Sequence, residues 1–84
     1  MNEQAIQCAL EQAALDMPSV EVLDTAIYRK IIIDDLSHDA PGDHWYVEVT
    51  LRHREDESTA MALYRVWRST EGLKAIRVTM AILS

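Results

Sequence analysis

The side chains best suited to chemistry crowd into one short stretch: Asp34, Asp35, His38, Asp39, Asp43 and His44. Carboxylate oxygens and imidazole nitrogens held in one loop are the donor set of a divalent-cation site. The spacing does not follow through. Read as a calcium loop from Asp35, Ser37 and Asp39 fall at liganding positions, but Ala40 stands where the sharp turn needs Gly. Tyr46 stands where the bidentate Glu belongs. The two histidines lack the helical or hairpin spacing of a zinc pair. Acidic residues beside Pro41-Gly42 also make plain surface turns. His38, Asp39, Asp43 and His44 are thus the candidate metal ligands, but the pattern argues for no metal and no other cofactor.

Nucleophiles fare no better. Ser37-His38-Asp39 holds the letters of a hydrolase triad, yet neighbours in a chain diverge, and triad members must converge. Cys8 lies between Glu3 and Glu11 with no cation nearby to favour its thiolate. The only glycines are Gly42 and Gly72, which rules out a Gly-rich phosphate loop. The expectation is a protein that is not an enzyme.

These side chains must be positioned by a small scaffold. Eighty-four residues with 49% apolar content suffice for a single domain, residues 1–84, with a modest core. Residues 2–17 read as a helix: Ile6, Leu10, Ala13 and Met17 form a stripe, with Ala9 and Ala14 at its margins. Pro18 ends it, because the residue before proline is pushed out of the α region. Cys8 and Leu15 fall nearly opposite that stripe. A first strand is strongest over Ala26–Ile33, where Ile31-Ile32-Ile33 suggests a central position covered on both faces. Residues 37–43 read as a loop. His44–His53 is a second strand, with Trp45, Val47, Val49 and Leu51 alternating with Tyr46, Glu48, Thr50 and Arg52.

In the last third, Ile76, Val78, Met80 and Ile82 are expected on one side of a final strand, with Lys74, Arg77 and Thr79 between them. Ser69-Thr70-Glu71-Gly72 suits a tight turn whose Gly takes a positive φ. Leu63–Arg68 is then the partner strand. A helix over residues 57–70 is the competing reading, since Ala60, Leu63, Tyr64 and Trp67 repeat at i, i+3, i+4 and i+7. The strand reading is preferred for its turn chemistry. The predicted fold is α+β, an N-terminal helix on a three- to four-stranded antiparallel sheet in an α-β-β-β-β meander, with α-β-β-α-β as the alternative.

Tyr64-Arg65-Val66-Trp67, then Thr70-Glu71-Gly72 and an alternating strand, resembles the end of domains in the cystatin-like and nuclear-transport-factor-2-like group. The likeness spans some twenty residues at fold level and carries over no functional residue. The chain lacks the extra N-terminal helices of the larger members, so the resemblance implies a shallow ligand cone or none. The helical alternative resembles small phage-type host-takeover proteins.

Charge divides the chain. Residues 1–43 hold nine acids against Arg29 and Lys30, a balance of −7, while residues 44–84 hold five acids and six bases, for the overall −6. Such a chain has no basic face for phosphates, so direct nucleic-acid binding is not expected. With no apolar run near ~20 residues, no membrane span is expected either. A lone cysteine and no signal-like start point to the cytoplasm.

Three functions follow as expectations. The first is a non-catalytic protein–protein interaction or regulatory module, homodimeric, because one helix leaves a sheet face open. Tyr46, Tyr64, Trp67, Arg52, Arg65 and Arg68 are its candidate contacts, aromatic and Arg being the residue types that binding hot spots favour. The second is an acidic inhibitor or decoy, a phage-type antagonist of a CRISPR complex or a polymerase. It would occupy a basic nucleic-acid-binding surface with Asp24, Asp34, Asp35, Asp39 and Asp43. The third is a small-ligand binder with a cavity near Trp45 or Trp67.

Overall fold

Ala, Gln, Glu and Leu dominate the first seventeen residues, and all four are strong helix formers. They form α1 (Asn2–Asp16) in the computed structural model, which describes residues 2–33, 36–39 and 44–83. The Met17 N–H donates to the Ala13 carbonyl at 2.8 Å, and Pro18 permits no further turn. The buried line of α1 is Ala5, Ala9 and Ala13, continued by Met17. The predicted stripe is therefore rotated: Ile6 and Leu10 only flank the core, and Ala14 is exposed. Leu15 is 79% exposed, while Cys8 is half-buried against the core. Methyl-sized contacts let the helix axis approach the sheet closely, which is why Ala and not the longer side chains face inward.

Four strands form an antiparallel sheet in the order β1-β4-β5-β6: β1 (Val20–Tyr28), β4 (His44–His53), β5 (Thr59–Ser69) and β6 (Gly72–Ile82). The α+β meander is as predicted. β2 (Lys30–Ile33) and β3 (Leu36–Asp39) pair with each other in a separate two-stranded sheet. This corrects the first-strand reading. The chain turns at Arg29, so Ile31-Ile32-Ile33 belongs to that small hairpin and not to the sheet centre. β1 is an edge strand, and residues 36–39 are strand where a loop was expected.

β5 settles the competing reading of residues 57–70. Ala60, Ala62, Tyr64 and Val66 are fully buried, and the residues between them are half-buried. That is period two, which a helix cannot produce. The supposed helical face splits: Ala60 and Tyr64 point to α1, Leu63 and Trp67 away from it. Helix propensity in Ala60-Met61-Ala62 yields to the paired strands on either side. Gly72 takes a φ of +113° at the β5–β6 turn, as the turn chemistry required.

β6 departs from the expected alternation. Leu63 pairs with Thr79 and Tyr64 with Arg77, so Val78 is an extra residue, a β-bulge. The bulge reverses the faces along the strand. Ile76 therefore lies on the side away from α1, whereas Met80 and Ile82 lie on the α1 side. A second irregularity at Leu23 lets Val22 and Thr25 both face α1. The core is a single layer: Ala5, Ala9 and Ala13 against Val47, Val49, Leu51, Ala62, Tyr64 and Val66. The molecule is only 16 Å through its thinnest direction, against 39 and 32 Å along the others. A helix layer on a sheet fills that depth.

Candidate functional site

Antiparallel partners share a face, so the registers place every side chain of the sheet. On the face away from α1 lie Glu21, Asp24, Ala26 and Tyr28 of β1, and His44, Tyr46, Glu48, Thr50 and Arg52 of β4. Thr59, Met61, Leu63, Arg65 and Trp67 of β5 continue it, with Lys74, Ile76, Thr79 and Ala81 of β6. Among the described residues, no helix covers this open face.

Among the six contact candidates, the fold brings four together and separates two. Tyr46, Arg52, Arg65 and Trp67 share the open face. Tyr64 does not: it is fully buried under α1, where its hydroxyl donates to Asp16 Oδ2 at 3.0 Å. Burial, with that bond and the Asp16 charge added, pushes the Tyr64 phenol well above its usual range. Arg68 is exposed, but its register is that of the α1 side. Both were placed on the contact face by composition alone, which does not distinguish odd from even positions.

The open face has a structured end. His44 pairs with Trp67 and Trp67 with Lys74, while Tyr46, Arg65 and Ile76 make the adjoining row. Arg65 donates to His44 Nδ1 from Nη2 at 3.0 Å and from Nε at 3.3 Å. An imidazole nitrogen that accepts brings no negative charge, so the bond orients the guanidinium and leaves its charge in place. His44, Arg65, Trp67 and Ile76 line a hollow of about 260 Å³. Ile76, 58% exposed, forms its wall; sequence alternation had assigned it to the opposite face. Tyr46 is only 6% exposed although it faces away from the helix. At the far end of the same face, Arg52 Nη2 meets Glu21 Oε2 at 2.9 Å. The hydrogen bond and charge of Arg52 hold the Glu21 carboxyl below the usual range. Glu71 meets Lys74 at 3.2 Å within the turn.

Other candidates scatter or lie elsewhere. Asp34, Asp35 and Asp43 lie outside the described residues, as do the side chains of His38 and Asp39. Of the proposed metal ligands only His44 is described, and its Nδ1 is engaged by Arg65. Among the described residues, no three His, Cys, Asp or Glu side chains gather into a group able to hold a metal ion. Of the acidic-surface candidates, only the side chain of Asp24 is described; it is exposed on β1 and its Oδ1 accepts the Thr25 N–H. Burial and the Glu11 charge push the Cys8 thiol up, opposite to what a nucleophile needs. A larger hollow, about 520 Å³, lies at the end of α1 beside Met17, Pro18, His53, Asp56 and Ile82, away from both tryptophans. No described helix is long and apolar enough to cross a membrane.

No family model, curated protein or solved structure matches the chain.

Proposed function

We propose that this chain is a small, non-catalytic protein–protein interaction module of the cytoplasm that works as a homodimer and makes its contact through the open face of its sheet. One observation carries the reading. Among the described residues the sheet has a helix on one side only, and the other side presents Met61, Leu63, Trp67 and Ile76 among charged residues, with Tyr46 buried between them. Aromatic and aliphatic side chains enclosed by Arg and carboxylates are the composition of an interface core with its polar rim. An 84-residue chain buries a modest share of its surface on folding, and covering this face adds to a small core.

Sedimentation equilibrium tests the reading. The native protein is expected to dimerise in the micromolar range, and Leu63→Lys, at the middle of the face, to shift it to monomer with its fold intact. A native protein that stays strictly monomeric up to millimolar concentration removes the reading.

A further inference from the structure

The open face is electrically ordered. Among its described residues, three acids, Glu21, Asp24 and Glu48, balance three bases, Arg52, Arg65 and Lys74. The face is therefore neutral in a chain whose total is −6. α1, on the other side, carries Glu3, Glu11 and Asp16 and no basic residue. Two copies meeting helix to helix bring like charges together, whereas two open faces do not.

The balance also has a direction. Asp24 pairs with Thr50, Glu48 lies one row on in β4, Arg65 one further row on in β5, and Lys74 beyond it in β6. These four charges thus run corner to corner across four adjacent strands, in steps of ~8 Å given ordinary strand and residue spacings. Their order is minus, minus, plus, plus. Tyr46 and Leu63 flank the middle of the line, one on each side.

We infer that the open face binds a second copy of itself face to face, Asp24 lying over Lys74 and Glu48 over Arg65 of the other protomer. The inference rests on the homodimer reading and names its geometry. A two-fold axis along the sheet, perpendicular to the line of charges, reverses that line. Each acid then meets a base, and the half-buried Leu63 of both copies falls near the centre. The strands of the two sheets cross steeply, in the orthogonal class of sheet packing. The present partners of the outer charges yield easily: Lys74 meets Glu71 at 3.2 Å in an exposed pair, and the exposed Asp24 accepts its neighbour's backbone N–H. Arg65 is already aimed by His44.

Sedimentation equilibrium on Asp24→Lys, Lys74→Asp and the double variant carrying both tests this pairing. Both sites are exposed, so each variant is expected to melt like the native protein. Each single substitution creates two like-charge contacts per dimer and is expected to weaken association about tenfold. The double variant restores opposite charges and is expected to recover most of that loss. Dimers unaffected by either single substitution, or a double variant no tighter than the singles, overturn the pairing while leaving a homodimer in place. A native chain that never self-associates but binds a different protein through Leu63 removes the second copy as occupant, and the homodimer reading with it.

Discussion

The two faces of one sheet are built on opposite principles. Toward α1, the middle strands present Val47, Val49, Leu51, Ala60, Ala62, Tyr64 and Val66, all without measurable exposure. One residue away along the same strands, the other face presents Glu48, Thr50, Met61, Leu63 and Arg65, all half-buried. The first face is specified by volume, with small residues where the helix comes close and branched ones beside them. The second is specified by charge placement around a few large side chains. Folding depends on the first, and the proposed association on the second.

Adjacent positions test that division most severely. Ala62→Lys places an ammonium group between α1 and the sheet with no acceptor prepared for it. The cost is expected to exceed the ~5 kcal/mol that a small domain has to lose, and the far-ultraviolet spectrum should show an unfolded chain. Leu63→Lys, the next residue, is expected to melt close to the native protein and to lose self-association. If both unfold, the open face is as much a core as the other.

Truncation sharpens the comparison on a smaller scale. Leu51→Ala removes a fully buried side chain and is expected to cost about 2–5 kcal/mol in urea unfolding. Met61→Ala, half-buried on the open face, is expected to cost under about 1 kcal/mol in the monomer.

The Tyr64 hydroxyl crosses from the sheet to the helix. Tyr64→Phe keeps the packing and removes the bond to Asp16, for an expected loss of about 1 kcal/mol. Its pH dependence has a definite sign. The phenol is raised above its unfolded value, so the folded chain retains a proton that the unfolded chain releases above pH ~10. This contribution is fully present at neutral pH and is lost as pH rises beyond that point. Urea midpoints should fall above pH ~10 in the native protein and fall less steeply in Tyr64→Phe.

How far these faces could be read beforehand depended on where the backbone stays regular. β4 is regular throughout, and its alternation gave the correct face for every residue from Trp45 to Arg52. β5 was ambiguous because Ala60-Met61-Ala62 suits a helix and its large residues also fit a helical spacing; pairing on both sides decides it. In β6 simple alternation cannot put Ile76, Met80 and Ile82 on their true faces together, because a bulge at Val78 inserts one residue and no residue type announces it. The Ile31–Ile33 run was misplaced because branched residues favour strands without saying which sheet they join. The faces of the contact candidates follow suit: Tyr46, Arg52, Arg65 and Trp67 share one face, and Tyr64 and Arg68 differ from them only in parity, which composition does not register.

The smallest effect concerns the ion pair at the far end of the open face. Glu21 and Arg52 are 2.9 Å apart but both are solvated, with nearly half of each side chain exposed. Two long side chains held together in water gain little over their separate hydration, so Glu21→Gln should leave the thermal midpoint unchanged within error. The pair is still detectable at the carboxyl group. Arg52 holds Glu21 below its usual range, so any stability from the pair is present above the unfolded value near ~4.3 and disappears as pH falls through the lowered one. A carbon-detected titration should find the Glu21 carboxyl ionising below the usual glutamate range, and Arg52→Ala should raise it. A midpoint that drops clearly in Glu21→Gln would mean that the two protomers shield this pair from water, moving Glu21 and Arg52 from the rim of the interface to its interior.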